Sequence, residues 1–247
     1  MKEIVRYLSR CSKTERINRL IEILDQHEIP IQIQKTKDVV NILAGDFDNK
    51  EKKPLLCAHH DVVPESSGAN DNLASIAIVI KLLETSRCRA VFLDGEESGH
   101  TGAKLFCQEA PKDRIECMIV LDVCGYGNCM TYWICRGRFC RTFRKLTATR
   151  IRKKYHLLSS CFLPESDDRV LGLLQRPLMR MSVLPEKDAY ALKALEAFPD
   201  LTTDVAEVIG SLEVSQTIHG GLLDDPDILM PESMENVVCH LQEAFIR

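Results

Sequence analysis

The sequence lacks a hydrophobic run that is long enough to cross a membrane. Its longest apolar segment, residues 73–80, is far shorter than the roughly 20 residues that a membrane-spanning helix needs. The first ten residues carry scattered charges and no apolar core segment, which argues against a secretory signal. We therefore expect the protein to have no membrane partner.

The sequence also lacks an excess of positive charge. The formal net charge is -4 and the sequence pI is about 6.0, so the chain has no general attraction to nucleic acid. Residues 139–155 do contain many Arg and Lys residues around Phe143, Leu146 and Ile151, and this spacing predicts an amphipathic helix. Because the whole chain is acidic, we interpret the basic side of that helix as a solvated surface and expect no nucleic-acid partner.

Paired cysteine motifs, repeats and linkers are absent as well. Eleven cysteines are spread along the chain without any C-x-x-C spacing, and their number is odd. This pattern favours reduced thiols in a cytoplasmic protein over a disulfide framework. A chain of 247 residues that is 45% hydrophobic can bury one sizeable core, so we expect a single domain over residues 1–247.

The chain does contain a regular alternation of strand-like and helix-like segments. Residues 73–83 are apolar nearly all round and predict a buried helix, with Asp71 at its N-terminus. Continuous apolar runs predict strands at residues 55–58, 90–93, 117–121 and 178–184. The alternation predicts an α/β fold, a three-layer α/β/α sandwich whose central sheet is mixed and mostly parallel.

Several of the polar residues at the ends of these segments are of the types that bind metals. Each one alone has an ordinary explanation, such as a surface turn, a solvated carboxylate or a loop histidine. Together and in this order they indicate a ligand site, because the carboxyl ends of strands in an open α/β sheet line a common crevice. The set comprises His59, Asp71, Glu97, Asp122 and His219.

Five short motifs resemble those of the co-catalytic dizinc aminopeptidases, family twenty-eight of the metallopeptidases. They are His59-x-Asp61, GANDN at residues 68–72, DGEE at residues 94–97, Leu121-Asp122 and Thr217-Ile218-His219. The resemblance extends from Asn41 to the last predicted helix. Fewer than a hundred residues separate Asp122 from His219, which leaves no room for a large inserted lid and implies a single-domain member with the zinc-exopeptidase (phosphorylase/hydrolase-like) fold.

The resemblance implies a ligand set for two zinc ions. Asp71 would bridge the two ions, His59 and Asp122 would complete one, and Glu97 and His219 would complete the other. Carboxylate and imidazole ligands suit zinc, although cobalt or manganese could substitute for it. Asp61 would accept a hydrogen bond from the ring of His59 and so fix its orientation.

The resemblance also implies a reaction. Glu96 corresponds to the general base of the family, which takes a proton from a water or hydroxide shared by the two metals and passes it to the leaving amine. The expected function is that of a zinc-dependent exopeptidase, an aminopeptidase that hydrolyses N-terminal residues of short peptides. The substrate partner would be a peptide or an aminoacyl compound, and the sequence does not indicate the oligomeric state.

Two departures from the family pattern leave alternatives open. In the segment 166–171, Asp168 stands where a His is usual and no pocket-lining Phe follows, so details of the substrate pocket cannot be transferred. A glutaminyl cyclase, a deacylase, or a carboxypeptidase that binds the substrate carboxylate through Arg176 or Arg180 would have the same fold. A metal-binding module without enzymatic activity is a third possibility, although no ligand and no base is missing.

Overall fold

The computed structural model of the protein describes residues 1–163, 165–197 and 204–245. Within these residues one mixed sheet contains eight strands. The strands are β1 (Ile31–Lys35), β2 (Val40–Ala44), β3 (Lys53–His59), β4 (Arg89–Leu93), β5 (Ile115–Leu121), β6 (Cys129–Arg136), β7 (Leu158–Ser159) and β8 (Leu178–Leu184). The helices are α1 (Lys2–Ser9), α2 (Lys13–Gln26), α3 (Ala74–Thr85), α4 (Thr101–Glu109), α5 (Arg141–Leu146), α6 (Thr149–Lys154), α7 (Asp168–Leu171), α8 (Glu186–Ala197), α9 (Val205–Ser211) and α10 (Pro231–Phe245).

The strand order is β1-β2-β4-β3-β5-β8-β6-β7. The four central strands, β4, β3, β5 and β8, are mutually parallel. β2 pairs antiparallel with β1 and β4, β6 pairs antiparallel with β8, and the short β7 is parallel to β6. The carboxyl ends of the central strands therefore lie along one edge of the sheet. This topology confirms the predicted α/β class with a mixed central sheet and creates the crevice in which ligands bind in such folds.

The two faces of the sheet form two separate hydrophobic clusters. Along β3, Leu56 and Ala58 join the cluster that contains α1, α2, α3 and α10, and Leu55 and Cys57 join the cluster that contains α4 and α7. Successive side chains of a strand point to opposite faces, so a strand that is covered on both sides is apolar throughout. The helices on the two faces give the three predicted layers.

The first two helices pack beside the carboxyl edge of the sheet. Ser12 and Glu15 form the capping box that begins α2, and this confirms the spacing-based prediction. Arg16, which is buried, donates hydrogen bonds to the backbone carbonyls of Cys11 and His60. This contact ties α2 to the residue that directly follows β3.

The basic segment differs from its prediction, because residues 139–155 form two short helices and not one. α5 ends when Thr147 donates its hydroxyl to the carbonyl of Phe143, and Ala148 then takes an extended conformation before α6. The break allows Phe143, Leu146 and Ile151 all to be buried. Among the described helices, none combines the length and the apolar composition that crossing a bilayer requires.

Candidate metal centre

The five residues predicted as metal ligands converge at the carboxyl edge of the sheet, although they come from five chain segments. His59 ends β3, and Asp71 lies in the irregular segment Ala69–Leu73 that precedes α3. Glu97 lies in the turn after β4, Asp122 directly follows β5, and His219 lies just beyond the 3-10 turn Glu213–Thr217. The sheet thus brings together side chains that are up to 160 positions apart, counted from His59 to His219.

The carboxylate of Asp71 lies at the centre of this group. Its Oδ1 is 3.0 Å from Nε2 of His59, and its Oδ2 is 3.0 Å from Nε2 of His219. On the first side, Oδ1 of Asp122 is 3.6 Å from the same nitrogen of His59. On the second side, Oε1 of Glu97 is 3.3 Å from the same nitrogen of His219. The two oxygens of one carboxylate therefore face two separate pairs of imidazole and carboxylate donors.

This donor set fits divalent cations such as zinc. Ligand atoms of His59, Asp71 and Glu97 all lie within 4.8 Å of one another. Among the described residues, Oε1 of Glu97 and Oδ1 of Asp122 are buried and accept no hydrogen bond. A buried carboxylate oxygen without a hydrogen bond is costly, and coordination of a cation removes that cost.

The pKa values of His59 and His219 show that negative charge is concentrated around them. Burial lowers the pKa of His59, but Asp122, Asp61 and Asp71 outweigh this effect and raise the pKa well above its ordinary value. Contacts with Asp71 and Glu97 raise the pKa of His219 to about 10. Both histidines thus lie in a strongly negative environment, and a bound metal cation would replace their protons.

Asp61 contacts both His59 and the turn that carries the glutamates. Its Oδ1 is 3.4 Å from Nδ1 of His59, and burial of the group is outweighed by His59, so that the pKa of Asp61 falls to about 2. The same carboxylate accepts hydrogen bonds from the backbone N–H groups of Glu96 and Glu97, each at 3.1 Å. Asp61 therefore connects the end of β3 to the turn after β4, a contact that the sequence did not indicate.

Glu96 lies beside the five predicted ligands, which we call the metal-ligand group, and also contacts two residues outside that group. Burial raises its pKa to about 8; His59 opposes this shift, whereas Asp122, Asp167 and Glu97 add to it. Its Oε1 is 3.5 Å from Nδ1 of His100, which is also 3.2 Å from Oδ1 of Asp167.

Sequence reasoning missed the contact of His100 and Asp167 with Glu96. The available signals were a histidine in the polar turn after DGEE and the Ser-Asp motif at residues 166–167. Neither signal shows that the two residues meet at Glu96, because His100 and Asp167 are 67 positions apart.

The two asparagines of GANDN hold Asp71 in place. Asn70 accepts a hydrogen bond from the N–H of Gly125 and donates one to the hydroxyl of Thr217, both at 2.8 Å. Asn72 donates to the carbonyl of Leu121, also at 2.8 Å. Asp71, predicted at the N-terminus of the helix, lies in the segment that leads directly into α3, which begins at Ala74, and both Asp71 and Asn72 have non-helical backbone angles. Side-chain hydrogen bonds to neighbouring loops, and not a helix terminus, fix its position.

His219 lies in a loop that Asp224 stabilises through hydrogen bonds. The carboxylate of Asp224 accepts hydrogen bonds from the hydroxyls of Ser66 and Ser67 and from the N–H of Gly220. The side chain of His219 is 49% exposed, in contrast to His59, which is 1% exposed. His219 therefore forms the solvent-facing side of the site.

A cavity of about 180 Å³ adjoins the metal-ligand group. The polar part of its lining includes Asp71, Glu96, Glu97, Asp122 and His219. The apolar part of its wall is formed by Leu184, Leu192, Ile209, Leu212, Val214 and Ile218. Ligand sites commonly combine an apolar wall with a few converging polar groups, as this cavity does.

The two arginines considered as binders of a substrate carboxylate already contact carboxylates of the chain. Arg180 is buried, lies 3.6 Å from Oδ2 of Asp168 and donates to the carbonyl of Cys161. Arg176 lies 3.2 Å from Asp113 and is two positions before the start of β8, away from the carboxyl edge of the sheet. Asp168, which stands where the family has a His, is thus the partner of Arg180.

Comparisons of the sequence with known proteins agree with this geometry. A Schizosaccharomyces pombe protein whose name describes an endoplasmic reticulum metallopeptidase is 31% identical in the aligned region, which covers 35% of this chain. The chain covers 12% of the length of that protein.

Solved structures share the fold at low sequence identity. Glutaminyl cyclase of Porphyromonas gingivalis has a TM-score of 0.69 and 16% identity, covering 98% of this chain and 96% of that one. The LapA aminopeptidase of Legionella pneumophila has a TM-score of 0.67 and 17% identity, with coverages of 98% and 69%. A zinc aminopeptidase of Bacillus subtilis has a TM-score of 0.61 and 14% identity, with coverages of 84% and 50%.

The family comparison is the most specific of the three. The model of peptidase family M28 matches residues 39–166, about half of the chain, including β3, the GANDN segment, both glutamates and Asp122. With its donor set at the expected edge of the expected fold, the chain belongs to peptidase family M28.

Proposed function

We propose that the protein is a two-zinc aminopeptidase that removes N-terminal residues from short peptides, and that residues 1–247 form one catalytic domain. The observation that carries the proposal is the position of Asp71, whose two oxygens each lie 3.0 Å from a different histidine nitrogen. His59 and Asp122 would complete one zinc site and His219 and Glu97 the other. Each site would then have three protein ligands, which leaves a position open for substrate or water.

Zinc ions bound here would polarise the scissile carbonyl and lower the pKa of water. Glu96 is the group of the chain that moves protons. Its pKa of about 8 reflects burial among carboxylates, and two nearby cations would lower that pKa and favour the carboxylate form. The carboxylate then accepts a proton from the attacking water and donates it to the nitrogen of the leaving amine.

Two further residues restrict the orientation of Glu96. His100 lies 3.5 Å from its Oε1, and Asp167, which is buried, lies 3.2 Å from the same nitrogen of His100. The backbone N–H of Glu96 donates to Asp61. Contacts thus fix both the main chain and the side chain of Glu96. A group that takes a proton from a bound water must be held in a fixed position in this way.

The charge of the cavity favours a substrate amine over a substrate carboxylate. Five carboxylates line it, namely Asp71, Glu96, Glu97, Asp122 and Glu165. Two divalent cations would contribute four positive charges, so the lining stays negative by about one charge when all five groups are ionised. Arg176 and Arg180 are paired elsewhere, as described above. A free N-terminal ammonium group therefore suits this cavity better than a C-terminal carboxylate does.

The apolar wall supports a preference for an apolar N-terminal side chain. Leu192 and Leu212 are buried residues of a third hydrophobic cluster, beneath α8, and reach the cavity with Ile218. Transfer of a buried aliphatic side chain from water contributes roughly 1.5–3 kcal/mol. We expect leucine or another aliphatic residue to be cleaved faster than a charged one.

A substrate panel combined with metal analysis tests the proposal. The purified protein would be incubated with aminoacyl, N-acetyl-aminoacyl and N-terminal glutaminyl reporter amides, with and without a chelator. We expect two zinc equivalents and chelator-sensitive cleavage of free-amine substrates only. Cyclisation of the glutaminyl substrate without hydrolysis of the others would identify a cyclase. Two zinc equivalents without any turnover would favour a metal-binding module.

The cytoplasmic location is also a proposal, and it rests on the thiols. All eleven cysteines lie within the described residues and are free. The name of the Schizosaccharomyces pombe relative refers instead to the endoplasmic reticulum. Cell fractionation with antibodies against the protein distinguishes the two locations.

A further inference from the structure

A second cluster of reactive groups lies away from the metal-ligand group. The sulfur atoms of Cys117 and Cys140 and a carboxylate oxygen of Glu116 all lie within 4.8 Å of one another. Cys117 belongs to β5 and is fully buried, whereas Cys140 directly precedes α5 and is partly exposed. Cys117 and Asp122 are five positions apart along an extended strand, a distance of roughly 17 Å.

A cationic cleft of about 230 Å³ lies next to this thiol pair. Its lining includes Glu116 and Arg141, the chain neighbours of Cys117 and Cys140. Five basic side chains line it, namely Lys52, Lys53, Arg87, Arg141 and Lys145, against the two carboxylates of Glu51 and Glu116. Arg87 pairs with Glu51, and the hydroxyl of Thr142 donates to Glu116. The cleft therefore attracts anions.

We propose that Cys117 and Cys140 are a redox pair that small anionic disulfides, of which oxidised glutathione is the probe, convert into an intramolecular disulfide bond. Two thiols in contact supply the attacking and the resolving group, and the cleft concentrates an anionic disulfide beside them. This explains why a basic segment occurs in an acidic protein at the side of the molecule that faces away from the metal centre.

The reaction proceeds in two exchange steps. The thiolate of Cys140 attacks one sulfur of the oxidised glutathione, which forms a mixed disulfide and releases one glutathione thiolate. Cys117 then attacks the sulfur of Cys140 and expels the second glutathione, whose leaving thiolate takes up the proton of Cys117. The two protein thiols are oxidised by two electrons, and one glutathione disulfide is reduced to two glutathione molecules.

The roles of the two thiols follow from their surroundings. The adjacent thiol of Cys117 lowers the pKa of Cys140 to about 6, and the N–H groups of Phe143 and Thr142 act in the same direction. The same contact, together with burial, raises the pKa of Cys117. Cys140 is thus the partly exposed thiolate that attacks first, and Cys117 is the buried thiol that resolves the mixed disulfide.

A metal site explains the cluster less well. Glu116, Cys117 and Cys140 supply three ligands, whereas structural zinc sites are closed by four. The surrounding lysine and arginine side chains repel a divalent cation. The same side chains attract an anionic oxidant.

Peptide mapping by mass spectrometry under non-reducing conditions tests the proposal. The protein of residues 1–247 would be equilibrated with glutathione buffers of increasing oxidised fraction. We expect a peptide that joins Cys117 to Cys140, and we expect Cys117→Ser to accumulate one glutathione on Cys140. Cys140→Ser should give neither product, whereas Cys239→Ser, a partly exposed cysteine of α10, should behave as the wild type.

Reversing the charge of one side chain that lines the cleft tests the role of the cleft. Lys145→Glu should slow the reaction with oxidised glutathione severalfold but leave the rate with the uncharged hydroxyethyl disulfide unchanged. Equal slowing with both reagents would overturn the role of the cleft. The pair itself is refuted if no Cys117–Cys140 peptide forms at any ratio, or if a third zinc equivalent is lost from both cysteine variants, which would make the cluster a metal site.

Discussion

At the scale of single residues, a substitution at Glu96 can test proton transfer without changing metal binding. Glu96→Gln removes the proton acceptor while Glu97, His219 and the other predicted ligands stay in place. We expect kcat to fall by about 10²–10⁴, since general base catalysis contributes that much, with zinc content unchanged. Steady-state kinetics and elemental analysis provide the two readings.

Glu165 provides the matched control for this variant. It lines the same cavity, is exposed and pairs with Arg169. Because Glu165 adds negative charge to the cavity but takes no part in the proposed proton transfer, Glu165→Gln should keep kcat near the wild-type value and act only on KM. If Glu96→Gln retained wild-type kcat, the general-base assignment would be wrong.

His219 tests the ligand set itself. Its Nε2 is 3.0 Å from Asp71 and 3.3 Å from Glu97, so His219→Ala removes one of the three protein ligands proposed for its zinc ion. We expect the dialysed variant to lose at least one zinc equivalent. His27→Ala, on the surface at the end of α2, is the control. Two retained equivalents in His219→Ala would remove this residue from the ligand set.

The residues that we propose as zinc ligands could be named from the sequence, whereas the contacts that support them could not. His59, Asp71 and His219 are of residue types that zinc chemistry requires, and their order along the chain resembles a known pattern. His100 and Asp167 meet beside Glu96 only because the fold brings the turn after β4 next to the start of α7. No local spacing rule encodes such a contact.

At the scale of elements, Asn70 joins the loops that surround Asp71. Asn70→Ala leaves the N–H of Gly125 without its partner in a buried position and removes the hydrogen bond to Thr217. We expect a loss of about 2–4 kcal/mol in the free energy of unfolding, since each unsatisfied buried group costs roughly 1–3 kcal/mol. Urea denaturation at constant zinc concentration measures it.

Asn18→Ala is the control for this element. Asn18 is exposed on α2, where alanine has the higher helix propensity, so stability should be unchanged or slightly higher. A loss in Asn70→Ala no larger than in Asn18→Ala would show that the hydrogen bonds of Asn70 do not stabilise the fold.

Elements with a clear pattern of apolar residues were predicted correctly. Segments whose backbone is shaped by hydrogen bonds to distant loops were not. Residues 55–58 of β3 and 117–121 of β5 are apolar throughout because both faces of these strands are covered, and the sequence shows this directly. Asp71 was expected at the start of a helix, but Asn70 and Asn72 hold the backbone in a non-helical path. The predicted helix over residues 139–155 is broken at Thr147 and Ala148 because three apolar side chains reach the core only when the chain turns there.

For the whole molecule, His240 links stability to pH. It lies fully buried on α10, and its Nε2–H donates to the carbonyl of Leu146 at the end of α5. Burial lowers its pKa, although the contact with Leu146 and the charge of Glu243 act in the opposite direction. The folded protein therefore keeps this imidazole neutral at pH values at which the unfolded chain protonates it.

The sign of the effect follows from proton binding. Above the unfolded pKa of about 6.5 neither state binds the proton, and the full stability contribution of His240 is present. As the pH falls below that value, the imidazole of the unfolded chain is protonated while that of the folded protein stays neutral. The free energy of unfolding then decreases by up to about 1.4 kcal/mol per pH unit until the folded pKa is reached.

His240→Gln keeps a donor for the carbonyl of Leu146 but cannot titrate. We expect the stability of the variant to fall less steeply than that of the wild type between about pH 6.5 and pH 5, with a constant difference above pH 7. Urea denaturation across this range gives both curves, and subtracting them cancels the titration of every other group that the variant shares with the wild type. Parallel curves would mean that the folded protein already binds the proton at His240, and the link between the burial of α10 and acid stability would then fail.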